Sequence, residues 1–282
     1  MEPDIMDKID TWIPPKQTEP KSRNLFRELF QYRDLLLMLT WRDIKIRYKQ
    51  SVMGFLWAIL MPVLVVGAGV VVMIAFSRVS GHGIDKSAVF SVAVKSVSWA
   101  FFAAGVRFAT NSLIMNKELV TKIYFPREIL PLASVLASLV DFAVAMAILV
   151  IVLCIAKIGV TIYLLWLPVL LLLLTMITMG FAFILSCANL FFRDVKYLVE
   201  ILLTYGIFFT PVLYSAKNLG KLGTLMLINP IGPILEGLSS VVILHEAPDL
   251  RWLGNSAVWA VLGFALFWKI FEKAESSFAE SI

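Results

Sequence analysis

Long apolar runs separated by short polar stretches dominate this chain. An α-helix needs roughly 20 apolar residues to cross the hydrocarbon core of a membrane, and most of the runs reach that length. The pattern predicts crossings over residues 54–77, 88–113, 129–156, 161–188, 197–214 and 253–271. We therefore expect an all-α membrane protein with six transmembrane helices.

Residues 231–244 form a shorter apolar stretch. Pro230 and Pro233 stand at its start and Glu236 lies inside it. A stretch this short and interrupted does not reach across a bilayer. We expect it to lie in the membrane interface or to re-enter the membrane between the fifth and sixth spans.

The N-terminal residues divide into two parts. Residues 1–24 contain Pro14, Pro15 and Pro20, which predict a flexible tail. Residues 25–50 repeat large apolar side chains at helical spacing with basic side chains opposite, which predicts an amphipathic helix in the membrane interface. Its candidate functional residues are Trp41, Arg42, Asp43, Arg47 and Tyr48. The helix either anchors the chain or docks a cytoplasmic partner.

The distribution of charge orients the six spans. The chain is 60% hydrophobic and 16% charged, with a net charge of +5. Most Lys and Arg residues fall in the N-terminal segment and in loops that six crossings place on one side, and positive residues are retained in the cytoplasm. We expect a multi-pass protein of the inner (plasma) membrane with both termini cytoplasmic, and the basic excess needs no nucleic-acid partner.

Several catalytic signatures are missing from the sequence. There is no GxxxxGK[ST] loop for binding ATP, and no HExxH or GxSxG motif. Cys154 and Cys187 both lie in apolar runs and form no CxxC pair. We therefore predict no catalytic residues and no metal or cofactor site in this chain.

The segment after the second span has a distinctive order, polar, then aromatic, then interrupted by proline. It predicts a short cytoplasmic helix, a turn at Pro126 and the start of the third span, although a plain loop is the default interpretation. The residues expected to contact a partner are Asn116, Lys117, Glu118, Lys122, Tyr124, Pro126 and Arg127.

The loop after the fourth span carries the adjacent Arg193 and Asp194. We interpret it as a structural turn that begins the fifth span. Pro211 lies near the far end of that span, where it removes a backbone hydrogen bond and kinks or ends the helix.

Charged residues inside spans are costly and often functional. Lys95 and Arg107 lie in the second span and Asp141 in the third. Arg107 shares a helix face with Asn111 and could meet a polar substrate. Alternatively, Arg107 could pair with Asp141 and Lys95 could extend to the membrane surface.

Aromatic side chains are concentrated in the second and fifth spans. Rings can stack on sugar faces, so these residues could line a path, although most membrane aromatics pack or sit at interfaces. Together with Lys95, Arg107 and Asn111, the candidates for a substrate path are Trp99, Phe102, Phe208, Phe209 and Tyr214.

Taken in order, these segments resemble the ABC-2 type permeases that export lipid-linked polysaccharides such as O-antigen, capsule and teichoic acid. The resemblance covers residues 25–282. It rests on YRDLLLMLTWRDIKIRYKQSVMGFLWAILMP, WAFF, NSLIMNKELVTKIYFPREILPLASV, LVDF, FFRDVKYLVEI, TPVLY, INP and FEKAESSFAESI.

The resemblance implies a homodimer bound to two P-loop ATPase subunits, which hold the ATP and Mg²⁺. Residues 116–127 would contain the helix that couples to the ATPase, and residues after Tyr214 would form short extracytoplasmic helices. The substrate would be a polysaccharide on a lipid carrier. A membrane-embedded glycan polymerase or glycosyltransferase and an ion-coupled secondary transporter remain alternatives.

Overall fold

The computed structural model describes residues 30–49, 86–123 and 125–278, with isolated positions between 60 and 78. The predicted tail 1–24 and Tyr124 lie outside the described residues, and so does the predicted first span 54–77 apart from those isolated positions. In the described part all regular structure is helical, as predicted.

The helices follow one another along the chain in a simple order. They are α1 (Arg33–Lys49), α2 (Lys86–Met115), α3 (Lys117–Lys122), α4 (Ile129–Ile155), α5 (Leu167–Phe191), α6 (Val195–Phe209), α7 (Lys221–Ile228), α8 (Gly232–Ser239) and α9 (Leu250–Glu275). Tight helical turns precede α5 at Ile162–Trp166, precede α7 at Ala216–Leu219 and extend α8 over Ser240–Leu244.

Four of these helices are long and apolar enough to cross a membrane. They are α2, α4, α9, and α5 with its preceding turn, or up to five if the bent α7–α8 pair is one span. Their bounds agree closely with the predictions 88–113, 129–156, 161–188 and 253–271. Continuous apolar runs are sufficient to predict these helices.

The fifth predicted span is shorter than expected. Helix α6 has 15 residues and ends at Phe209, so it is about 22 Å long where the hydrocarbon core is about 30 Å thick. The predicted bounds 197–214 are wrong at their far end, whereas the prediction that Pro211 kinks or ends this helix is confirmed. The chain leaves the helix at Thr210, since Pro211 lacks the N–H that a continuing helix requires.

Helices α7 and α8 meet at a sharp bend of 110°. Asn229 forms the corner, where its Oδ1 accepts a hydrogen bond from the Ile231 N–H at 3.1 Å and its Nδ2 donates to Thr210 Oγ1 at 2.9 Å. Nearly every residue of α8 is buried. This agrees with a re-entrant or interfacial segment, as predicted.

Helix α2 lies between α4 and α5, with most of its apolar window buried. Small residues permit the close approach that drives helix association in membranes. A Cβ added to Gly105 of α2 would lie 2.7 Å from Thr178 Cγ2 of α5, and one added to Gly180 would lie 3.3 Å from Phe264 Cα of α9.

The bundle has two ends, a base and a top. The base carries α3, the 192–194 turn and residues 275–278, and it contains an aromatic cluster of Phe183, Phe271 and Phe278. The top carries the turn at 156–161 and residues 214–249.

Candidate functional site

The short helix α3 projects from the base between α2 and α4. Asn116 precedes it and donates from Nδ2 to the Ser112 carbonyl at 2.8 Å. Val120 is buried, whereas Glu118 and Lys122 are exposed and form an ion pair at 3.4 Å. The predicted short helix followed by a turn at Pro126 is confirmed.

Arg127 faces the protein interior. Its guanidinium donates to the Glu275 carbonyl at 2.6 Å and to the Val120 carbonyl at 3.3 Å. Of the residues predicted to contact a partner, Lys117, Glu118 and Lys122 are exposed. Arg127 instead joins the turn before α4 to the end of α9.

Helix α1 has a more complex surface than the predicted division into apolar and basic faces. Leu37 and Trp41 are exposed, with the Lys45 ammonium 5.6 Å from the Trp41 ring, whereas Leu39 is buried. Arg47 points toward the protein, because its side chain is only 12% exposed.

Arg47 and Tyr48 meet Asp141 of α4. The Arg47 guanidinium donates to one carboxylate oxygen at 2.6 Å, and the Tyr48 hydroxyl donates to the other at 2.7 Å. Arg47 also donates to Ser138 Oγ at 3.2 Å and lies 3.7 Å from the centroid of the Phe108 ring of α2. This cluster, called the α1 clamp below, joins α1 to α2 and α4.

A second contact of α1 lies one turn earlier. Arg42 donates to its neighbour Asp43 at 2.9 Å, and the Asp43 carboxylate accepts from the Ser134 hydroxyl at 3.2 Å. Asp43 of α1 and Asp141 of α4 therefore hold the same face of α1 against α4.

Burial and the Asp141 carboxylate raise the pKa of the Tyr48 hydroxyl above its ordinary value. Tyr48 therefore remains a protonated donor throughout the physiological range.

Arg107 pairs with Glu200 of α6. Its Nε lies 2.8 Å and 2.9 Å from the two carboxylate oxygens. The alternative that Arg107 pairs with Asp141 is therefore wrong, since each has another partner. The Arg107 and Glu200 side chains are 41% and 46% exposed. Glu200 was missed by the sequence reasoning, although a carboxylate inside a predicted span is a recognisable signal.

Asn111 lies one turn from Arg107 and faces α5. Its Nδ2 donates to the Arg107 carbonyl at 3.2 Å, and Asn189 Nδ2 donates to the Thr110 carbonyl at 2.9 Å. Asn111 Oδ1 lies 3.5 Å from Asn189 Nδ2. In this arrangement Asn111 helps to join α2 to α5.

Lys95 lies about 18 Å from Arg107 along α2, toward the top, since twelve residues at 1.5 Å each separate them. It does not extend to the surface as the alternative proposed, because its side chain is 1% exposed. Its Nζ donates to the Tyr214 carbonyl at 2.6 Å and lies 3.6 Å from Glu236 Oε1, which accepts from the Ala216 N–H at 2.7 Å. Lys95 thus fastens residues 214–216 and α8 to α2.

The aromatic candidates fall into two groups. Trp99 and Phe102 are buried in the core, where Trp99 faces Gly206 of α6. Phe208 and Phe209 are exposed at the end of α6. The Tyr214 hydroxyl donates to the Phe208 carbonyl.

The turn at 192–194 joins α5 to α6 at the base. The Phe192 N–H donates to the Ala188 carbonyl at 2.8 Å, and the Val195 N–H donates to the Phe192 carbonyl at 3.0 Å. Arg193 and Asp194 are exposed and Asp194 precedes the first residue of α6. The predicted structural turn is confirmed.

Comparison with known proteins places this architecture in a family. The ABC-2 type transporter family model matches residues 34–243. An O-antigen export system permease protein of Myxococcus xanthus is 30% identical over 92% of this chain and 99% of its own length. Two proteins of the same name from Klebsiella pneumoniae are 27% and 28% identical, over 84% and 72% of this chain and 92% and 77% of their own lengths. With a match over most of its length and helices able to cross a membrane, this chain belongs to the ABC-2 type transporter family.

Proposed function

We propose that this chain is the permease subunit of an ATP-driven exporter that moves a lipid-linked polysaccharide of the O-antigen type across the inner membrane. One observation carries the proposal. The similarity to an O-antigen export permease extends over 99% of that relative's length. The chain supplies the route, and a separate subunit binds ATP and Mg²⁺ and hydrolyses the ATP.

The topology proposed has six crossings, supplied by 54–77, α2, α4, α5, the segment 195–214 and α9. The base is the cytoplasmic end, because it carries the basic loops that are retained inside. Helix α1 lies at the inner membrane surface, with Trp41 and Leu37 directed toward lipid.

The working unit proposed is a homodimer with two ATPase subunits. Its support comes from the surface of α6, where Leu198, Ile201, Leu202 and Tyr205 are exposed. The half-exposed Arg107–Glu200 pair lies on this side of the bundle. A charged pair is costly against lipid, so this surface faces a second copy or a hydrated path.

Coupling begins at α3. Its exposed charged side chains fit a docking surface for the ATPase, and α2 and α4 leave its two ends. ATP-driven closure of the partner moves α3, and with it α2 and α4, the two longest α-helices among the described residues. A polar glycan requires a hydrated or aromatic-lined route, for which Arg107, Phe208 and Phe209 are the candidates. No feature of the described residues favours the polymerase or the ion-coupled transporter.

The coupling step is tested by charge reversal in the complex of the permease and its P-loop ATPase. Glu118→Lys breaks the exposed ion pair of α3 and should weaken co-purification with the ATPase. Glu246→Lys is the matched control, since Glu246 forms a similar exposed pair with Lys217, 3.5 Å apart, at the top. Equal co-purification of both variants would contradict docking at α3.

Export itself is tested in vesicles that contain the complex and a lipid-linked polysaccharide. Arg107→Ala should reduce ATP-dependent export while the ATPase remains bound. Normal export by this variant would assign Arg107 a packing role. An absence of ATPase binding by the unaltered chain would refute the proposed function as a whole.

A further inference from the structure

The segment that follows α9 is folded into the base of the bundle. Phe278 is fully buried, and its ring centroid lies 5.2 Å from that of Phe271 and 6.0 Å from that of Phe191. Residues 275–278, which are the last residue of α9 and the three that follow it, are therefore held against α5 and the end of α9 through Phe278.

Arg127 connects this segment to the turn before α4. Besides the bond from its guanidinium to the Glu275 carbonyl at 2.6 Å, its backbone N–H donates to the Glu275 carboxylate at 3.3 Å. The guanidinium carbon lies 5.7 Å from the Phe278 ring centroid. Two residues of the 275–278 segment thus hold one arginine.

The same arginine reaches α3. Its second terminal nitrogen donates to the Val120 carbonyl at 3.3 Å, in the middle of that helix. A planar guanidinium with several donors in a fixed fork is better suited to both carbonyls at once than a lysine ammonium on a flexible stem.

Helix α3 needs such support. It has six residues, far fewer than a helix requires for stability by itself. Apart from the buried Val120, its side chains are exposed or half-exposed. Its position therefore depends on the contacts of Val120, on the partly buried Leu119, and on the hydrogen bond from Arg127.

We propose that residues 275–278 and Arg127 form a strut that sets the position of α3 for docking of the ATPase. Arg127, Glu275 and Phe278 are positioning residues and do not contact the partner. The inference rests on the proposed function, since it assigns the strut to the coupling step.

The experiment compares variants of the full-length permease in complex with its ATPase. Hydrogen exchange is measured for the α3 amides and for the buried amides of Leu170, Leu173 and Leu174 at the top end of α5, away from Phe278. ATPase affinity is measured in parallel. Phe278→Ala and Arg127→Lys should each speed exchange in α3 and weaken ATPase binding. For Arg127→Lys the loss of affinity should be at least about tenfold, the low end of the factor expected from one hydrogen bond to a charged group. Exchange at the three α5 amides should stay unchanged, as should both properties in the control Ser276→Ala, an exposed residue of the same segment.

Each outcome of this experiment either supports or overturns the strut. If Phe278→Ala does not fold, the conservative Arg127→Lys variant provides the test alone. Unchanged α3 exchange or ATPase affinity in Arg127→Lys overturns the strut, and so does equal acceleration in α5, which marks a general packing role. If the unaltered permease binds no ATPase, the proposed function fails, but the exchange result still tests the strut.

Discussion

The α1 clamp makes a quantitative prediction about how firmly α1 is held. The Arg47 and Asp141 side chains are 12% and 28% exposed, and their nearest charged atoms are 2.6 Å apart. Hydrogen bonds to charged groups contribute about 1.5–3 kcal/mol, whereas interactions measured between membrane helices reach about 1.7 kcal/mol at most. We expect a coupling energy of about 1–2 kcal/mol between these two side chains, a factor of about 5–30 in a local equilibrium.

A double-mutant cycle isolates this energy. Hydrogen exchange of the α1 amides is measured for the unaltered protein, Arg47→Met, Asp141→Ala and the double variant, all in the same lipid. Arg47→Met removes the charge but keeps much of the side-chain volume over Phe108. The opening free energies of α1 then yield the interaction of Arg47 with Asp141, separate from the contact with Phe108.

The control cycle uses Arg33 and Asp34 on the same helix. These side chains are 61% and 92% exposed and 3.7 Å apart, so their coupling should be under about 0.5 kcal/mol. If the Arg47–Asp141 coupling is no larger than this control value, the argument that burial strengthens the clamp is refuted.

Three further predictions concern other parts of the molecule. Lys95→Met should lower the thermal midpoint in detergent, because it leaves the Glu236 carboxylate partly buried without its cation, and Lys95→Met/Glu236→Gln should recover part of the loss. Gly180→Ala should destabilise the protein by about 1–2 kcal/mol, because the new methyl meets the Phe264 backbone. Gly254→Ala, which lies in open space in α9, should stabilise it by up to about 1 kcal/mol. A change of the same sign in the unfolding free energy of both variants would contradict the packing. The raised pKa of Tyr48 stabilises the folded state below the ordinary tyrosine pKa of about 10, and this contribution falls as the pH rises above that value. The loss of stability between pH 8 and pH 11, measured by unfolding, should therefore be smaller in Tyr48→Phe.

The long helices could be predicted from the sequence because lipid imposes a minimum length on apolar runs. The end of α6 could not be placed by this rule. Uncharged residues continue past Phe209 to Tyr214, so hydropathy alone extends the span too far. Pro211 ends the helix before Thr210, as its missing N–H predicts. Hydropathy measures transfer to lipid and does not register a missing backbone donor.

The residues of the candidate site could be predicted from the sequence, but the side chains with which they pair could not. Lys95, Arg107 and Asp141 attract attention because each is a charge in an apolar run. Their partners depend on which helices are adjacent and on rotation about each axis, which a single sequence does not determine. Arg107 therefore pairs with Glu200, and Asp141 pairs with Arg47.

The short α6 has a consequence for how the protein is made. With 15 residues that include Lys196 and Glu200, α6 gains little free energy by entering lipid, since charges in a span oppose insertion by the translocon. Helix α5 has 25 residues and no charged side chain, and only the 192–194 turn separates the two. We expect α5 and α6 to leave the translocon together as a helical hairpin, with α5 supplying the free energy of insertion and the Arg107–Glu200 pair forming as the hairpin packs against α2.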